Sequence, residues 1–60
     1  MTPTKHQLEM IAKYKAAFHR YGEALVAFED NRTEENLDKC RVARKEMKAA
    51  LDAAIAADEN

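Results

Sequence analysis

A chain with one Gly and one Pro in 60 residues has almost nothing with which to turn. The Pro is Pro3, at the extreme start, where it suits the first turn of a helix. The interior holds a single cluster of turn and cap residues, Asp30-Asn31-Arg32-Thr33. Everything else is rich in Ala, Glu, Lys, Leu and Arg, which lose little entropy in a helix. The chain must therefore be two long helices with one short link, and such helices fold back on each other. The fold class is all-α, a single domain over residues 1–60. The architecture is a two-helix antiparallel hairpin with helices at about 3–30 and 34–57.

Capping chemistry sets the ends. Thr2 before Pro3 matches an N-cap with Pro at the first helical position. Thr4 with Gln7 matches a capping box and offers a second start. Thr33 caps the second helix, with Glu34 and Glu35 in its first turn, where the helix dipole favours acids. Asp58 and Glu59 oppose the dipole at the other end, so fraying is expected there. The start at Met1 and the polar Asp58-Glu59-Asn60 tail read as a complete short open reading frame.

Apolar periodicity picks an inward face. Ile11, Tyr14, Phe18, Tyr21, Leu25 and Phe28 follow alternating spacings of three and four, the seam of a packed helix. Met10, Ala17 and Ala24 widen one flank, and Leu8 extends the seam toward the start. On the second helix Leu37, Cys40, Met47, Leu51 and Ala54 keep the same period. Ala43, Ala50 and Ala57 flank it on one side and Ile55 on the other, while Arg44 interrupts it. Aromatic bulk on one helix faces alanine on the other, which allows close approach. The predicted core and dimer interface is Ile11, Tyr14, Phe18, Tyr21, Leu25, Phe28, Leu37, Cys40, Met47 and Leu51.

A domain of this length buries only about 60% of its unfolded surface and needs a staple. One cysteine excludes an intrachain disulfide, and His6, His19 and Cys40 lack metal-ligand spacing. Oligomerisation remains. A lone hairpin leaves one side of its aromatic stripe wet. Two hairpins packed as an antiparallel four-helix bundle cover it, so a homodimer is expected.

The sequence carries no Gly-rich phosphate loop, no H-E-x-x-H, no E-x-x-H and no nucleophile with an adjacent base. No enzyme, no cofactor and no metal are expected. His19 and Glu23 form an ordinary i,i+4 pair, and Cys40 falls on the apolar face as an inert thiol. Net charge is −1, which disfavours nucleic-acid binding by bulk electrostatics. The neutral total conceals polarity. A basic belt of Lys13, Lys15, Arg20, Arg41, Arg44, Lys45 and Lys48 lies at mid-height, and acids gather toward the turn. The ordinary reading is a solvated face with pairs such as Glu9–Lys13, Glu35–Lys39 and Lys48–Asp52. The functional reading makes Lys13, Arg20, Arg41, Arg44, Lys45 and Lys48 a partner-binding surface. For Arg44 the ordinary reading is a stem laid over Phe18 or Tyr21. No apolar run reaches a membrane span or a signal-peptide core. With a free cysteine, this points to the cytoplasm.

The T-E-E-N-L run from Thr33 to Leu37, set between two helices of this length, resembles short hairpin proteins from the early and accessory regions of temperate bacteriophages. The layout also resembles the plasmid-encoded Rop-type hairpin, which dimerises as a four-helix bundle and binds RNA. The first resemblance implies a non-enzymatic accessory or regulatory protein in a bacterial host cell. It would act as a homodimer through protein–protein contact with a partner the sequence does not identify. The second implies a nucleic-acid binder that uses the basic belt. A structural assembly adaptor is the third reading.

Overall fold

The computed structural model describes residues 2–59; Met1 and Asn60, the ends of the expected open reading frame, lie outside the described residues. Two α-helices make up the fold: α1, Lys5–Asp30, and α2, Glu34–Glu59. Each has 26 residues, about 39 Å at 1.5 Å per residue, within a hairpin 45 Å long.

Of the two candidate starts for α1, the capping box wins. Gln7 N donates to Thr4 Oγ1 at 3.1 Å, and Thr4 N donates to Gln7 Oε1 at 2.7 Å. Thr2 and Pro3 precede the helix. Gln7 also holds the open end of the hairpin together, because its Nε2 donates to Ala57 O on α2 at 3.1 Å. α2 runs two residues past the expected end near Ala57, through Glu59.

The link is Asn31, Arg32 and Thr33, with no positive-φ residue in it. Asn31 N donates back to Ala27 O at 3.0 Å, and Thr33 N donates to Asn31 O at 2.9 Å. Thr33 caps α2 as its sequence predicts, accepting from Asn36 N at 3.1 Å. The Asn36 side chain closes the turn: its Nδ2 donates to Asn31 O at 2.7 Å and to Ala27 O at 3.4 Å. One amide thus gives a second donor to two carbonyls at the end of α1 and ties them to the start of α2.

The packed seam differs from the expected one. On α1 it runs through Gln7, Met10, Tyr14, Ala17, Tyr21, Ala24 and Phe28, all buried or half-buried. On α2 it runs through Asn36, Cys40, Ala43, Met47, Ala50, Ala54 and Ala57. The buried apolar residues are Ala17, Cys40, Ala43 and Ala57, all small. Alanines let the helices come close enough for Cys40 Sγ to donate to Ala24 O at 3.2 Å. Ile11, Phe18, Leu25 and Leu51, expected in the core, are 39%, 56%, 41% and 37% exposed. The residues placed on the flank by sequence, Met10, Ala17 and Ala24, face α2 instead. Close helix packing selects small side chains, and the larger ones turn outward.

Candidate interaction surface

Both helices carry a second stripe beside the seam, largely apolar on α1 and cationic in its middle with apolar ends on α2. On α1 it follows Leu8, Ile11, Lys15, Phe18, Gly22 and Leu25 at helical spacing. On α2 it follows Leu37, Arg41, Arg44, Lys48, Leu51 and Ile55. The helices run antiparallel, so the two stripes border the same side of the hairpin. Ile11, Leu51 and Ile55 confirm this by lining one shallow hollow with Tyr14 and Ala54. Among the described residues eight large apolar side chains are exposed. Six of them, Leu8, Ile11, Phe18, Leu25, Leu51 and Ile55, fall on this face. Val26 borders this face, lining a hollow with Phe18 and Gly22, and Val42 borders the α2 cations. Tyr14 spans seam and face, its ring 6.2 Å from that of Phe18 in a tilted contact.

Gly22 lies on the same face. A methyl group there would meet nothing within 4 Å, so the glycine admits no neighbouring helix within the hairpin.

The structure divides the basic belt in two. Arg41, Arg44, Lys45 and Lys48 share one surface of α2 with Val42. Arg20 reaches the opposite side of the hairpin, where its Nε lies 3.8 Å from Glu46 Oε2. Lys13 shares the stripe of Arg20, one heptad away. Lys13 and Arg20 therefore do not join the α2 cations, and the single belt expected from the sequence is corrected. Arg41 is drawn toward Asp38, 3.4 Å away. Lys15, Arg44, Lys45 and Lys48 form no ion pair among the described residues. Of the expected helical pairs, Glu35–Lys39 forms at 3.7 Å and His19–Glu23 at 2.7 Å. Glu9–Lys13 and Lys48–Asp52 do not form among the described residues. Arg44 is exposed on the flank rather than interrupting the seam, because Ala43 and Met47 occupy that line.

Cys40 is buried and hydrogen-bonded to backbone, a packing thiol. Among the described residues no three His, Cys, Asp or Glu side chains converge as metal ligands. Among them, too, no helix is long and apolar enough to cross a membrane.

Comparison with known proteins finds no matching family model, no matching curated protein and no matching solved structure.

Proposed function

We propose that this chain is a non-enzymatic accessory protein of the temperate-phage type, working as a homodimer on a protein partner in the bacterial cytoplasm. The observation that carries the reading is the concentration of six of the eight exposed large apolar residues on one face of the hairpin. An apolar patch of this extent marks an interaction surface.

Two features support a second copy on that face. Its footprint, taken from the 45 × 14 Å hairpin outline, is about 600 Å² per copy, or about 1,200 Å² in total, which reaches the range of specific interfaces. The α1 stripe is self-matching: Ile11 and Leu25 lie equally far on either side of Phe18, and Phe18 sits at the middle of α1. A two-fold axis across the helices at Phe18 lays Phe18 on its mate and Ile11 on Leu25 of the second copy. Such a contact is isologous and closes on itself. The hairpins then lie with turns at opposite ends, as a four-helix bundle. What two stacked hairpins leave outside is shallow and charged, a surface for a protein partner rather than an enclosed reaction site.

Sedimentation equilibrium at micromolar concentration tests the dimer. Twice the chain mass is expected, and Phe18→Asp should reduce it to the chain mass. A wild-type monomer with cooperative unfolding overturns the reading.

The unpaired cations on α2 favour a second reading, RNA or DNA binding in the Rop manner. Its signature is binding of a defined RNA that weakens steeply with salt, with a smaller slope after Arg41, Lys45 and Lys48 are changed to Ala.

A further inference from the structure

The proposed dimer has an electrostatic consequence on its α2 side. An axis through Phe18 crosses α2 near its midpoint at Glu46, since the Ala24–Cys40 and Gln7–Ala57 hydrogen bonds fix which parts of the antiparallel helices stand level. Arg44 and Lys48 lie two residues on either side of that point, each about 3 Å from it along the helix. In the second copy their order is reversed. Arg44 of each hairpin therefore meets Lys48 of the other, and four cations stand within about one helical turn of the axis. No carboxylate among the described residues is drawn up to them in the hairpin, although Asp52 lies one turn beyond Lys48. Arg44 and Lys48 have no ion pair among the described residues, and Glu46 is turned to the opposite face by Arg20. Asp38, the nearest acid on the turn side of α2, is taken by Arg41. Four like charges brought together beside apolar side chains repel unless a counter-charge enters with them.

We propose that the homodimer binds a multivalent oxyanion, of the inorganic phosphate or pyrophosphate class, between its two α2 helices, held by Arg44 and Lys48 from both copies. This rests on the four-helix reading and makes it anion-dependent. The Arg44 guanidiniums offer paired N–H donors to phosphate oxygens, and the Lys48 ammoniums supply charge. Each copy provides half the site, so the anion and the second copy promote one another's binding. A nucleic-acid backbone is the less suitable source of phosphate. Arg44 and Lys48 extend over only about 3 Å of α2 on each side of the axis, and the acids Glu29, Asp30, Glu34 and Glu35 crowd both ends of the dimer.

The test compares the dimer dissociation constant, by sedimentation, in chloride, phosphate and pyrophosphate at equal ionic strength. Phosphate at about ten times its dissociation constant should tighten the dimer about ten-fold over chloride. Phosphate also strengthens apolar association in general. The double variant Arg44→Met, Lys48→Met measures that background, because it keeps the aliphatic stems and removes the charge. This variant should dimerise tightly in chloride and gain only the background from phosphate. A wild-type dimer that gains no more than the variant removes the anion site and leaves the four-helix reading standing. A variant that is monomeric in every salt overturns the dimer as well. Tightening by a twelve-nucleotide RNA, with none from free phosphate at the same phosphate concentration, overturns the small-anion assignment in favour of nucleic acid.

Discussion

Asn36 does more than its sequence position announces. Read in the chain it is the third residue of α2, an indifferent site for an amide. In the fold its Nδ2 reaches Asn31 O at 2.7 Å and Ala27 O at 3.4 Å and ties the end of α1 to the start of α2. Asn36→Ala should therefore cost about 1 kcal/mol, the usual net worth of such a bond, read as a lower urea midpoint at unchanged slope. An unchanged midpoint would mean that water replaces the amide without loss. Gly22 works in the other direction. It costs the helix about 1 kcal/mol relative to Ala, and a methyl group there meets nothing within 4 Å. In the dissociated hairpin, at low protein concentration, Gly22→Ala should raise stability by about that amount. A fall would show that a neighbouring helix already fills the notch. The caps were legible residue by residue, because Thr4, Gln7 and Thr33 act within one turn of themselves. Asn36 was not, because its partners lie across a link whose path the sequence leaves open.

Each helix presents two candidate stripes, and the reason the wrong one looked inward is physical. Tyr14, Tyr21 and Phe28 belong to both. What distinguishes them is whether Ala17 and Ala24 or Ile11, Phe18 and Leu25 complete the pattern. Hydrophobicity alone ranks the larger residues first. Inside a hairpin the governing quantity is the distance between helix axes, and alanine wins. The same logic moved Arg44 from an interruption in the core to an exposed flank. It also separated Lys13 and Arg20 from the α2 cations, since a helix face misplaced by one position sends its neighbours to the wrong side. A pair of substitutions one residue apart tests this assignment. Ala43 is 9% exposed and faces α1, whereas Val42 is 56% exposed. Ala43→Leu should wedge the helices apart at a cost of about 1–3 kcal/mol, the usual penalty for overpacking. Val42→Leu should change stability by no more than about 0.5 kcal/mol. Thermal denaturation of both variants decides it, and equal effects would mean that α2 is rotated about its own axis and turns Ala43 away from α1.

At the scale of the whole molecule the buried residues between α1 and α2 are small, the larger seam residues Met10, Tyr14, Tyr21, Phe28 and Met47 are only half-buried, and Leu8, Ile11, Phe18, Leu25, Leu51 and Ile55 lie outside the seam. Such a hairpin gains little from its own core, and association through the outer face would add to its stability. Phe18 separates the two contributions. Full burial of a phenylalanine makes truncation to Ala cost about 3–5 kcal/mol, but Phe18 is 56% exposed in the single hairpin. Within one chain, then, Phe18→Ala should cost well under that figure. In the proposed dimer the two Phe18 rings would meet at the axis, and one substitution would remove both. The measurement is the melting temperature followed over a hundred-fold range of protein concentration. Wild type should melt higher as concentration rises, because association stabilises only the folded chain. Phe18→Ala should melt close to the wild type at the dilute end and lose the rise. Lowering by the same amount at every concentration would place Phe18 inside the hairpin, in conflict with the small-residue seam. A full rise in the variant would show that copies meet through another surface. The apolar face would then be free for helices of a target, which the hairpin would join as a monomer.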